Sequence, residues 1–279
     1  MITLISIELQ KIFGKWRTYI GFIAIGVLTV IVQVTLYFTG EKMLKYSTSS
    51  LSDSFMVVGN LFNGYFVANL VLRGLFVHIP FLIVLVGGDL LAGEATAGTY
   101  RMLLTRPASR LKVVSAKFFA GVIYSNLLLF WLAFISLGIS LLVFGTGDLL
   151  SMGSGKLIIF ASDDILWRFL WAYAYAILSM TTVMSLSFFF SALVENAIGP
   201  IVATMALIII FLILSVIPVE FLQNLSPYFF TSHMSKWSEF FTDPIDYSDM
   251  FKSAGILLAH IVGLYTAASF IFIKKDILS

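Results

Sequence analysis

Five runs of this chain contain no Asp, Glu, Lys or Arg over lengths that a water-soluble fold has no use for: Thr18 to Gly40, Phe118 to Gly147, Phe169 to Val194, Asn196 to Val219 and Ser253 to Ile273. A helix crosses the hydrocarbon core of a bilayer, roughly 30 Å, with about 20 apolar residues. A sixth run, Asn69 to Leu91, carries Arg73 near one end and Asp89 near the other, where polar groups reach the headgroups, and it counts as a span. Phe169 to Val219 holds Glu195 as its one charge and is too long for a single crossing; Asn196, Gly199 and Pro200 beside that charge divide it into two helices. The expected fold class is an all-α polytopic membrane protein, one domain with six transmembrane helices at about 18–40, 69–91, 118–144, 169–194, 198–218 and 252–273.

Composition closes other routes. Hydrophobic residues make up 59% and charged residues 11%, against about 45–50% and about 25% in soluble domains. The formal charge of +2 rests on dispersed Lys and Arg, which offer no clustered face for nucleic acid. Without cysteine there is no thiolate metal site and no thiol nucleophile, and no metal ligands are expected. No clear small-residue cleavage site follows the first apolar run, so it reads as a retained span. With the N-terminus in the cytoplasm, ten of the 17 Lys and Arg fall inside: Lys11, Lys15, Arg17, Arg101, Arg106, Arg110, Lys112, Lys117, Lys274 and Lys275. Basic residues near span ends resist translocation. Both termini are therefore expected in the cytoplasm of a chain lodged in the cell (inner, cytoplasmic) membrane.

Before the first span, Ile2, Ile5, Leu9, Ile12, Phe13 and Trp16 share a helical face, with Glu8, Lys11 and Lys15 away from it. Residues 2–16 thus read as an amphipathic interfacial helix on the lipid bilayer, or as a frayed extension of the first span. Outside, Glu41 to Asn63 and Thr146 to Asp164 are polar enough to be loops. Pro218 to Met250 is too aromatic for that, with Phe221, Leu222, Tyr228, Phe229, Phe230, Trp237, Phe240 and Phe241. Re-entrant segments before the last span, or an aromatic belt on the outer leaflet, are the two readings.

The most informative segment is 93–117, between the second and third spans. Gly98 can interrupt a helix leaving the membrane, Tyr100 to Leu104 forms a short apolar turn, and Pro107 can start a new helix after Thr105 or Arg106. An apolar tip with a positive rim suits docking into a groove on a cytoplasmic partner; a plain positive-inside anchor is the simpler reading. Here the run Gly88-Asp89-Leu90-Leu91-Ala92-Gly93-Glu94, then Gly98-Thr99, then Leu103-Leu104-Thr105-Arg106-Pro107 with Ser109-Arg110 and Lys117, resembles permease subunits of type-2 ATP-binding cassette (ABC) exporters. The charged amphipathic start, the six spans, the aromatic outer segment and the Lys274-Lys275 ending are similar too.

The resemblance implies a permease without its own engine, in which Glu94, Gly98, Thr99, Tyr100, Arg101, Leu104, Thr105, Arg106, Pro107, Ser109 and Arg110 form a coupling segment pressed by a separate ABC ATPase (nucleotide-binding) subunit. It implies no cofactor in this chain, with ATP and Mg in the partner, and a working unit of two permeases, identical or homologous, with two ATPases. The chain's own closest approach to a phosphate loop, Gly153-Ser154-Gly155-Lys156-Leu157, lacks the hydroxyl after Lys and falls outside, and reads as a turn.

Among polar groups in spans, His78, just before Pro80, and His260 are candidates for substrate or proton handling or, in the simpler reading, structural groups. Asp89 and Glu94 are expected to pair with Arg101 or Arg106, or to cap a helix start on the ATPase. Arg73 and Arg168 read as interfacial anchors. Ser179, Thr181, Thr182, Ser185, Ser187 and Ser191 form small-residue stripes for helix packing, as do Gly121, Ala133 and Gly138. The alternative function is an ion-gradient-driven secondary transporter or channel, although residues 1 to 140 and 141 to 279 show no convincing internal repeat. A membrane-embedded enzyme would need a clustered His/Glu/Asp or Ser/His site, and the chain has three His.

Overall fold

The computed structural model describes residues 1–52, 60–98, 109–153 and 156–275. Six helices in it are long and apolar enough to cross a membrane, and the protein is all-α and polytopic with one small hairpin added. The first two helices are α1 (Ile2–Phe13) and α2 (Trp16–Ser52). The second crossing is segmented into α3 (Gly64–Phe76), α4 (Ile79–Gly87) and α5 (Asp89–Thr96). The third, α6 (Arg110–Ala133), continues through a π-helical stretch (Phe134–Ile139) into α7 (Ser140–Phe144). A hairpin of β1 (Leu149–Gly153) and β2 (Lys156–Phe160) leads to α8 (Ser162–Leu193) and α9 (Ile198–Val216). Then come α10 (Glu220–Leu225), a 3₁₀ turn (Ser226–Tyr228), α11 (Phe230–Met234), a second 3₁₀ segment (Ser235–Phe241) and the last crossing, α12 (Tyr247–Lys274).

The bundle is organised around α8, which packs against α4, α6, α9 and α12. Its hydroxyl stripe explains how neighbours come so close: Ser179, Thr182, Ser185, Ser187 and Ser191 are all fully buried, and small side chains permit near approach without a hydrophobic driving force. Gly121 of α6 serves the same contact, since a Cβ there would lie 2.0 Å from Met184 Cε and 2.7 Å from Leu90 Cδ1. The π-helical stretch disturbs the α6 ladder, and α2 repairs it. Gln33 Nε2 donates to Ile135 O and to Ser140 Oγ, both at 2.9 Å, as backbone at membrane depth requires.

Several expectations change in the structure. Glu41 to Ser52 is not loop but helical continuation of α2. Thr146 to Asp164 holds a hairpin in register from Leu149↔Phe160 to Gly153↔Lys156, because Leu149, Leu150 and Phe160 have a core to bury into. Gly153 and Lys156 are the closing pair of the two strands. Trp16 begins α2 instead of ending the interfacial helix, and Ile2 and Trp16, assigned to the apolar face, stand clear of the protein. Glu8, assigned to the polar face, is buried, because α1 packs along α6.

At the end of the bundle away from the termini, the aromatic segment is folded into protein. Phe229, Phe230, Trp237, Phe240 and Phe241 are buried, whereas Phe221 and Tyr228 are exposed. Its irregular backbone is satisfied by α8: Tyr175 OH donates to His233 O at 3.1 Å and Ser179 Oγ to Met234 O at 3.1 Å. Arg168, expected as an interfacial anchor, is buried here instead and donates to Phe240 O and Thr242 O. Asn63 closes the same end. Its Oδ1 caps α3 by accepting from Tyr65 N at 2.9 Å, while its Nδ2 donates to Asp148 O at 2.7 Å.

Candidate functional site

The opposite end, which holds α1 and the last described turn of α12, gathers the charges that lie along the spans' edges. On α1 the stripe Glu8, Lys11 and Ile12 follows helical spacing and, with Lys15 just past the end of the helix, it faces α5 and α6. Lys117 of α6, seven residues or about 10 Å along its helix from Arg110, donates to Glu8 Oε2 at 2.7 Å and Glu94 Oε1 at 2.8 Å. Lys11 joins the same two carboxylates, at 3.0 Å from Glu8 Oε1 and 2.8 Å from Glu94 Oε1. Two carboxylates and two ammonium groups make this cluster neutral. One turn away, Asp89 accepts from Lys15 at 2.5 Å and Arg17 at 3.1 Å. The two groups border a cavity of about 310 Å³ whose walls include Glu8, Lys15, Asp89, Glu94 and Lys117.

Exposure separates the members. The Lys117 side chain is 1% exposed and those of Glu8 and Glu94 are 9% and 14% exposed, while Lys11 is 38% exposed. A cation as buried as Lys117 persists only because both partners are within hydrogen-bond reach. At Lys11, burial pulls the ammonium pKa down, but the hydrogen bonds and charges of Glu94 and Glu8 outweigh it and hold the group above its ordinary range.

Just above the cluster, the α4–α5 break is held open by α8. Ser191 Oγ accepts from Leu91 N at 3.0 Å and Ala92 N at 2.9 Å and donates to Gly88 O at 2.7 Å, inserting itself into the helix ladder. Below it, Gly98 adopts φ +65°, the left-handed conformation that ends a helix and favours glycine. Thr96 Oγ1 donates to Glu195 O at 3.1 Å and accepts from Ala197 N at 3.2 Å, tying α5 to the α8–α9 turn. On the return, Ser109 caps α6, and Arg110 donates to Ile273 O at 2.9 Å and Lys275 O at 3.0 Å, clasping the last carbonyls of α12. The described α6 starts at Arg110, and the helix start expected at Pro107 lies outside the described residues.

Of the residues singled out in the sequence, Asp89 and Glu94 are brought together with α1, and Gly98, Ser109 and Arg110 stand at the two ends of the segment. Thr99, Tyr100, Arg101, Leu104, Thr105, Arg106 and Pro107 lie outside the described residues, so the described partners of Asp89 are Lys15 and Arg17 and those of Glu94 are Lys11 of α1 and Lys117 of α6. His78 and His260 do not meet. His78 is exposed at the α3–α4 break with Nδ1 3.1 Å from Gly74 O, and His260 Nδ1 is 2.8 Å from Ile256 O. Each imidazole donates to the carbonyl one turn back. The third, His233, has Ser253 Oγ on Nδ1 and Pro227 O on Nε2; Ser253 is fully buried, out of a substrate's reach. The members that sequence reasoning missed are Glu8, Lys11, Lys15, Arg17 and Ser191. The one signal for them was Lys117 standing at the very edge of a charge-free run.

A family model described as ABC-2 family transporter protein matches residues 2–277. No curated protein matches the chain.

Proposed function

The chain belongs to the ABC-2 transporter family, and we propose that it is the membrane permease subunit of an ATP-driven exporter whose hydrolytic engine, with its ATP and Mg, is a separate nucleotide-binding protein. The observation that carries the reading is the ion cluster at the root of segment 98–110. Asp89 and Glu94, at the start and near the end of α5, are each paired to charges at the start of the chain, and Glu94 also to α6 through Lys117. A push on the segment by a docked ATPase would reach α1, α2 and α6 together, because separating any of them breaks charge-assisted bonds. The excess of Lys and Arg at this end supports a cytoplasmic location for both termini and for the docking side. Two permeases, identical or homologous, would pair around the substrate path.

The test is to solubilise the tagged protein gently, identify an ATPase that co-purifies, and reconstitute the complex with Arg106→Glu. Arg106 belongs to the positive rim, so reversing its charge should reduce transport-coupled ATP hydrolysis at least about tenfold with membrane insertion unchanged. A variant complex with wild-type coupling, or a protein that yields no ATPase under conditions that preserve other membrane complexes, would remove the basis for the proposal.

A further inference from the structure

Two arginines lie toward the end of the bundle away from the termini, and their surroundings differ. Arg168 is saturated. Its guanidinium bonds Asp164 through Nε and NH2, both at 2.8 Å, and Phe240 O and Thr242 O through NH1. It also lies 4.2 Å from the Phe160 ring centre. Arg73, on α3, has Asn69 Oδ1 on Nε at 2.8 Å and reaches Ser151 Oγ from NH2 at 3.5 Å, the outer limit of a hydrogen bond. Among the described residues no carboxylate pairs with it. A guanidinium has five N–H donors and no acceptor, so its NH1 side stands without a protein partner among those residues.

Asn69 repeats the imbalance. Because Arg73 can only donate, it fixes the Asn69 amide with Oδ1 toward itself, and Asn69 Nδ2 is then buried with no acceptor in a residue 4% exposed. Phe76 follows on the same α3 stripe. Against it, with ring centres 5.1 Å apart, lies Trp237, whose Nε1 is likewise buried without an acceptor. Arg73 and Asn69, one turn apart on α3, thus both hold donors with no acceptor among the described residues. A lone cation in a span is costly, and a planar guanidinium fork matches the paired oxygens of an oxyanion.

We propose that Arg73 and Asn69 form a binding site for a phosphate group, carried either by a lipid headgroup or by a soluble phosphate. The guanidinium supplies the fork on its NH1 side, and Asn69, which holds Nε through Oδ1, fixes the direction of that fork. The site lies at the other end of the bundle from the ion cluster and stands whether or not the coupling reading does.

The test follows the thermal midpoint of the full-length protein in neutral detergent micelles. One arm titrates phosphatidylglycerol against phosphatidylcholine; the other titrates inorganic phosphate against chloride at matched ionic strength. A ligand of the folded state raises the midpoint saturably. The expected result is such a rise with at least one anionic probe, abolished in Arg73→Gln and half-saturating at about tenfold higher concentration in Arg73→Lys, which keeps the charge and loses the fork. A response to phosphatidylglycerol alone assigns a headgroup site; a response to phosphate assigns a soluble anion. Should Arg73→Gln fail to fold, Asn69→Leu is read instead and should weaken half-saturation similarly. No saturable rise in the wild type with either probe, or a half-saturation unmoved by these substitutions, overturns the proposal.

Discussion

Replacing Lys117 by Met isolates what the buried ion cluster contributes. The side chain is 1% exposed and donates to Glu8 at 2.7 Å and Glu94 at 2.8 Å. Met keeps nearly the same volume, so the loss is electrostatic rather than a cavity. Two carboxylates then share Lys11 alone, and the cluster carries a net negative charge in a site that is nearly closed. Breaking a buried pair in this way costs about 3–5 kcal/mol. Because Lys11 is 38% exposed, water screens part of the excess, and the lower end, about 3 kcal/mol, is expected. The decisive variant is the double one. Glu8→Gln alone leaves the cluster positive, Lys117→Met alone leaves it negative, and the pair restores neutrality. Glu8→Gln should therefore destabilise the wild type by about 1–3 kcal/mol yet leave Lys117→Met unchanged or more stable. Reversible unfolding in mixed micelles across the four proteins measures this as a coupling energy. Simple additivity, or a Lys117→Met cost below about 1 kcal/mol, refutes the idea that these charges act as a unit.

Two further substitutions probe the scaffold. At Gly64 an added Cβ would meet Ser140 O at 2.6 Å, Leu141 Cα at 2.7 Å and Gly145 O at 2.8 Å; these are backbone atoms that cannot swing aside, so Gly64→Ala should cost about 3 kcal/mol, read as a lowered unfolding midpoint, and a neutral result would mean the α3–α7 contact yields. Ser191→Ala removes the hydroxyl bridging Gly88 O to Leu91 N and Ala92 N; a loss of about 1–3 kcal/mol with faster hydrogen exchange at Leu91 and Ala92 is expected, and unchanged exchange would show that the ladder closes without it.

What the sequence revealed and what it hid divide along physical lines. Charge-free length is a one-dimensional property, so the six spans, the break around Glu195 and Asn196 and the packing role of Gly121 could be read directly, although Gly199 and Pro200 lie in the first turn of α9 rather than in the break. Glu8 could not. Its neighbours Ile5, Leu9 and Ile12 gave a face by periodicity, but only the position of Lys117 on another helix makes burial of a carboxylate favourable, and a pairing across 109 residues leaves no local trace. The hairpin was hidden for a similar reason. Its Gly, Ser and Asp signal a loop, and what turns Leu149 and Phe160 into strand ends is the buried surface waiting beneath them. Arg73 and Arg168 look alike in sequence, each an isolated cation near a span end; their difference lies wholly in which carbonyls and carboxylates the fold brings to them.

The two ends of the bundle differ in how many buried carbonyl bonds and how many exposed cations hold them, and that difference suits the proposed coupling. Besides the ion pairs of Arg168 with Asp164 and of Lys236 with Glu239 and Asp249, the end away from the termini is fastened by neutral side chains on backbone carbonyls, Ser151 on Phe241, Tyr175 on His233, Ser179 on Met234 and Asn63 on Asp148. Such bonds, made where water is excluded, have no ready substitute if broken. At the terminal end, the side chains of Lys11, Lys15 and Arg17 are 38%, 49% and 45% exposed. Water and a partner's carboxylates can replace their contacts as these form and break, which keeps each exchange within about 1 kcal/mol. Lys117, buried among them, is the fixed point around which those exchangeable pairs rearrange. A force applied to segment 98–110 would then be taken up first at the terminal end, shifting α1 and α2 against α5 and α6, while the α8-centred cap at the far end holds its shape and acts as the pivot.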